Sequence, residues 1–179
     1  MLIKAGSHRF GPANASLSVQ TGRAGAAAKA GHDLVIRVTS WTGALEVGED
    51  PVQASIELTA DATSLRVQRG TGGIKALGDD DKANIQQTID DEVLERQDIA
   101  FRSTRVQSPV GGGEISVEGE LTLVGRTHPI AFDLVVGDDG TLSATAVVTQ
   151  TRWGMKPYSA LFGALKVLDD VEVVFAGRL

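Results

Sequence analysis

A chain of 179 residues, 42% apolar and 22% charged, can bury one hydrophobic core without cross-links and lies far from the composition of a disordered segment. With no cysteine it can form no disulfide, thiolate metal site or cysteine nucleophile. Its 17 Lys and Arg against 23 Asp and Glu give a formal charge of -6, which disfavours phosphate backbones and anionic membranes, so no nucleic-acid partner is expected.

Aromatic residues are scarce, at 4%, and glycines number 21, so the core must be built from Val, Leu, Ile and Ala on a chain that turns often. After an irregular start punctuated by Gly11-Pro12, Leu17 and Val19 mark a short strand. Residues 22–31, GRAGAAAKAG, are alanine-rich enough for one or two helical turns but too short to be stable alone, and read as a short plug or connector. The longest strand pattern runs from His32 to Val47. Leu34, Ile36 and Val38 share one parity and Trp41, Leu45 and Val47 the other, which predicts a bulge or strong bend between residues 38 and 41. A turn follows at 48–51, then Ile56, Leu58 and Ala60 alternate inward, Leu65 and Val67 repeat the pattern weakly, and 70–80 reads as a loop.

At residues 81–97 the period changes. Ile85, Ile89 and Val93 fall four apart with Leu94 beside them, which predicts a helix over 81–96 capped by one of the acidic residues at 79–81. Strands resume at Ile99, Phe101 and Ser103. A turn at 109–113 leads to Ile115, Val117, Gly119, Leu121 and Leu123, and then to Ile130, Phe132, Leu134 and Val136. GDDG at 137–140 signals a hairpin into Leu142, Ala144, Ala146 and Val148, and the last strand carries Val171, Val173 and Phe175. About eight antiparallel strands must close into a barrel or split into a sandwich, and the long switching strand with Gly43 and the strand-interior Gly119 favour a barrel. The expected fold class is therefore all-β: a single domain over residues 1–179, an eight-stranded antiparallel barrel with one inserted helix and short helical connectors.

Four segments carry a resemblance to a known family. VEGELTLVGRTHPIAFDL, residues 117–134, resembles the signature hairpin of YceI-like proteins. AGHDLVIRV at 30–38, the helix at 81–96 with IAFRST at 99–104, and RWGMKPYSALFGALKVLDDVEVVF at 152–175 echo the family's other parts in the same order. The chain departs from the family pattern at Val124, where a His is frequent, and at Asp98-Ile99-Ala100, where an aromatic-Pro pair is frequent. The resemblance implies a lipocalin-like barrel holding a long polyisoprenoid, such as a quinone or polyprenol tail, in an elongated apolar interior. With it, the candidate ligand contacts are Trp41, Phe101, Phe132, Trp153, Met155, Tyr158, Phe162 and Phe175, and no cofactor or metal is expected.

The titratable residues suggest little catalysis. His32 and Asp33 are strand neighbours and point to opposite faces, so they cannot form a relay, and no histidines stand at metal-binding spacing. Arg126, Thr127 and His128 read as a tight turn with Thr127 bonding its own backbone and the two basic side chains facing water. Glycines 70, 72 and 73 lack the Gly-Lys-Ser/Thr of a phosphate loop, and Asp79, Asp80 and Asp81 lack EF-hand spacing. Residues 152–167 gather aromatic and aliphatic side chains among Gly154, Pro157 and Gly163, and suit either a plug at one barrel end or a gate over a cavity.

The sequence reading is thus a non-enzymatic protein that binds or carries a long-chain isoprenoid lipid. It has no transmembrane segment, because no window approaches the roughly 18 apolar residues of a span. Residues 1–20 lack a signal-peptide core, which leads to a cytoplasmic expectation; a homodimer is admitted. The alternatives are a solid-core interaction domain without a ligand and a small lipid-modifying enzyme.

Overall fold

The computed structural model describes residues 3–49, 54–107 and 113–179. The expected turns at 48–51 and 109–113 lie largely outside these. The strands are β1 (Gly6–Phe10), β2 (Ala15–Thr21), β3 (Arg23–Ala24), β4 (His32–Val38), β5 (Trp41–Val47), β6 (Ala54–Ala60) and β7 (Leu65–Gly72). After the helix come β8 (Ile99–Gln107), β9 (Glu114–Leu123), β10 (Arg126–Val136), β11 (Thr141–Thr149), β12 (Ser159–Ala160), β13 (Leu165–Val167) and β14 (Asp170–Arg178).

Eleven of these form one antiparallel sheet in the order β1-β5-β6-β8-β9-β10-β11-β14-β2-β4-β7, and β12-β13-β3 form a small second sheet. Periodicity counted fewer strands because three long ones are cut by bends: β1 runs into β2, β4 into β5, and β6 into β7. β1 pairs with β5 while β2 pairs with β4, and β5 pairs with β6 while β4 pairs with β7, so the bent strands hold each other on both sides of the bend. With β14 on β2 and β8 on β6, the sheet curls into a barrel-like wall.

The bend predicted between residues 38 and 41 falls at Thr39-Ser40. Thr39 donates from both its N–H and its hydroxyl to the Ser64 carbonyl, at the neighbouring bend, at 3.0 and 2.8 Å. The parity switch follows directly: Ile36 and Val38 are buried before the bend, Trp41 and Leu45 after it. Gly119, in β9, points inward between Val117 and Leu121, opposite Ser103 of β8, where the β8–β9 register slips by one residue. The GDDG hairpin forms as predicted, with Gly137 N–H donating to the Thr141 carbonyl (2.8 Å) and Gly140 at φ 83°, a conformation that glycine adopts without strain.

The helix α1 spans Asp79–Thr88 and continues as one wide π turn over Ile89–Val93, ending where Glu95 and Arg96 take left-handed conformations. It therefore starts two residues earlier and stops three earlier than the periodicity placed it. Of the three acidic residues, Asp81 makes the cap: its carboxylate accepts from Gly78 N–H at 3.0 Å, and this hydrogen bond, with Lys75 3.7 Å away, holds its pKa below the usual carboxylate value.

Candidate functional site

The inward face of the wall is aliphatic at every second residue, and it encloses a cavity of about 880 Å³, near the upper end of the range for small-molecule sites. Val19, Ile36 and Leu58 represent one side, and Ile130, Ala146 and Val173 the other. The floor is aromatic. Phe101 and Phe132 lie 5.5 Å apart, and Phe175 meets Phe10 edge-to-face at 5.5 Å and Trp41 at 6.1 Å. Beyond that floor Leu45, Val117, Leu134 and Leu142 fill the barrel, so one end is solid and the other hollow.

Two devices frame the open end. On one side α1 presents Ile85, Ile89 and Val93 to the cavity, while its Gln86 and Asp90 side chains bond each other at 3.0 Å. Predicted core residues of a docked helix thus become half-buried walls of a cavity, because nothing fills the space they face. On the other side lies the segment 150–168. Its start is fixed by Asp169, whose carboxylate accepts from the Thr151 N–H at 2.8 Å and from the Thr151 hydroxyl, and by Gln150, whose side-chain amide donates to the Leu168 carbonyl at 3.0 Å.

This segment divides the plug and the gate between its two halves. Trp153 is 1% exposed, donates from Nε1 to the Leu121 carbonyl at 2.8 Å, and carries the His128 ring edge-on at 5.5 Å, so it is a fixed part of the wall. Met155 is buried and lines the cavity beside it. Tyr158 and Leu165 line the opening, whereas Phe162 stands fully exposed outside it.

Of the eight ligand contacts drawn from the sequence, Phe101, Phe132, Met155, Tyr158 and Phe175 thus share the cavity. Three do not line it. Trp153 packs behind the wall, Phe162 points to solvent, and Trp41 faces an adjoining void of about 70 Å³, its buried Nε1–H without a partner among the described residues. Phe162 is displaced because Leu161 and Phe162 both take positive φ, 53° and 56°, which turns the hairpin tip outward. The aliphatic majority of the lining was not singled out as a site, although its parity was visible in the sequence.

The charged side chains on the lining, Arg23, Lys75, Asp81 and Lys166, border the cavity at its opening with His32 and Asn84, while Thr21, Thr88 and the buried Gln150 add uncharged polar groups. His32 Nε2–H donates to the Lys75 carbonyl at 2.7 Å, and Asp33 faces Arg23 at 3.7 Å, so the neighbouring imidazole and carboxylate have separate partners. The triplet at 126–128 opens β10 instead of forming a turn: Arg126 faces water as expected, whereas His128 is half-buried against Trp153. The turn is Val124-Gly125, Thr127 bonds Thr122 across the strands at 2.7 Å, and Arg126 lies over Gly154. Among the described residues no cluster of three His, Asp or Glu could hold a metal ion, and no helix is long and apolar enough to cross a membrane.

Comparisons with known proteins agree with this architecture. No curated protein shows significant sequence similarity. BcnA of Burkholderia cenocepacia superposes with a TM-score of 0.64 at 16% identity, over 90% of this chain and 94% of that one. A mutant CJ YCEI protein, crystallised for nanotechnology, gives 0.50 at 11% identity over 80% and 85% of the two chains. A YceI-like domain model matches residues 10–179, and proteins of that family are non-catalytic binding proteins. A family match across almost the whole chain, on a barrel-like wall with a hollow apolar end, places this protein in the YceI-like family.

Proposed function

We propose that the protein is a non-enzymatic carrier of a long isoprenoid lipid of the quinone or polyprenol type, working as one eight-staved, closed lipocalin-like barrel. Three bent strands and five straight ones make the eight staves. The observation that carries the reading is the cavity: about 880 Å³, walled by alternating aliphatic side chains and open at one end. Burying an apolar tail there contributes on the order of 25 cal/mol per Å² removed from water, and the one buried polar side chain on the lining, Gln150, already donates to the Leu168 carbonyl. The gathering of the charged side chains at the opening supports a ligand whose tail goes in first and whose head group stays at the rim. The choice of an isoprenoid over a straight-chain lipid rests on the resemblance, and Phe101, Phe132, Met155, Tyr158 and Phe175 are the proposed contacts.

The interior is not filled by side chains, which disfavours a solid-core interaction domain. The test is binding of fluorescent polyprenyl and straight-chain lipids of several lengths by the wild type and by Ala146→Trp, which puts an indole into the cavity. Tight binding of isoprenoids that lengthens with the tail and is lost in Ala146→Trp is expected. Equal binding by both proteins would place the lipid outside the cavity, and a preference for straight chains would remove the isoprenoid assignment.

A further inference from the structure

The cavity opening is ringed by apolar side chains that face water. Among the described residues the three most exposed large apolar side chains are Phe162, fully exposed, Ile74 at 85% and Leu161 at 59%. Ile74 and Tyr158 both line the cavity and face solvent, so they form its rim. Leu161 and Phe162 are the tip of the β12–β13 hairpin, whose base, Tyr158 and Val167, lines the cavity together with Leu165.

The two rim elements are tied together. β13 pairs with β3, Leu165 lies against Gly31, and Arg23 of β3 donates to the Gly31 carbonyl; the next residue, His32, bonds the Lys75 carbonyl beside Ile74. Positive φ at both Leu161 and Phe162 is unfavourable for bulky L residues, yet it is what presents the two side chains outward when a cavity lies a few residues away. The stem of Lys166, a residue without an ion pair among the described residues, lies beside Gly163 next to the same tip.

The geometry points to a lipid bilayer as the partner of this rim: the tip inserts Leu161 and Phe162, with Ile74 across the opening, and Lys75 and Lys166 extend to head-group level. An apolar ligand leaving an open-ended cavity must cross water unless the opening is seated on another apolar phase, and seating these side chains supplies that contact. Insertion is apolar rather than electrostatic, because the chain carries a net charge of -6 and Asp81 stands on the same rim. Lysine stems accommodate such a boundary by lying along it with the ammonium in water. The inference holds for any apolar cargo and does not need it to be an isoprenoid.

Flotation of the full chain with phosphatidylcholine vesicles tests it, at low and high salt. The wild type is expected to float with the vesicles with little dependence on salt. Phe162→Ser is expected to weaken the partition by about tenfold, and Leu161→Ser with Phe162→Ser further, while the melting midpoint and lipid retention in vesicle-free buffer stay unchanged. In Phe162→Trp, vesicles should shift the emission of the new indole to the blue. A wild type that stays at the bottom of the gradient, partition indifferent to the serine substitutions, or an unshifted indole would overturn the proposal. So would self-association of the wild type that Phe162→Ser abolishes, which would assign the rim to a second copy of the chain.

Discussion

Gly119→Val tests the packing of the barrel wall where β9 meets β8. A Cβ at residue 119 would sit 2.5 Å from Cε2 and Cζ of Phe101 and 2.6 Å from the Arg102 carbonyl oxygen, about 1 Å inside ordinary contact. The backbone conformation itself admits a side chain, so the obstacle is space. The ring could retreat only into Phe132, 5.5 Å away, or into the cavity, and the carbonyl belongs to the paired strand and cannot retreat. Overpacking of this kind costs about 1–3 kcal/mol, and valine's branched carbons place it at the upper end. For a chain of this length that corresponds to a fall in Tm of roughly 4–10 °C. Denaturant melts of both proteins, with Gly119→Val/Phe101→Ala as the second arm, measure it. The double variant should lose less than the sum of the single ones, because removing the ring relieves one of the two clashes. An unchanged midpoint and slope in Gly119→Val would refute the reasoning.

The two tryptophans make a matched pair. Trp153→Phe loses the hydrogen bond to the Leu121 carbonyl and Trp41→Phe loses none, so the first should be less stable in urea by about 1 kcal/mol; equal costs would contradict the assigned partners. Ile89→Ala should cost less than about 2 kcal/mol, because that side chain faces a cavity edge instead of a packed core, and a loss above 3 kcal/mol by chemical denaturation would show that the helix is docked more deeply. Asp81 has a folded pKa depressed by its bond to Gly78, so its contribution to α1 is present above the unfolded value of about 3.9 and disappears as pH falls through the folded value. Amide protection factors across residues 79–88, taken relative to the intrinsic exchange rate at each pH, should therefore fall on acidification below about pH 4 in the wild type, and Asp81→Asn should remove that dependence.

Much of the wall was legible in the sequence, because burial on one face of a strand writes itself as period two. The parity switch at 38–41 gave the bend, and GDDG gave the hairpin. The hollow was less legible: Ile36, Ile130 and Val173 read the same whether they pack against other side chains or border a void, since both environments exclude water. The same ambiguity made Ile85 and Ile89 look like core. Aromatic residues drew attention as ligand contacts, and the three that do not line the cavity show why type is a weak guide to position. Trp153 is held by a hydrogen bond that it donates to a strand 32 positions away in sequence, and Phe162 by a backbone conformation that its side chain gives no hint of. The family resemblance reached further than either, because four short segments in register constrain a topology that periodicity leaves open between barrel and sandwich.

The most direct test of the central claim is organic extraction of gently purified protein followed by mass spectrometry, with denatured protein and Ala146→Trp processed in parallel. The account expects one isoprenoid chain per protein molecule from the wild type, recovered either as purified or after incubation with quinones and polyprenols, and none from the two controls. Wild-type protein that yields no stoichiometric lipid under either condition, with the cavity open to water in a crystal structure, would contradict it.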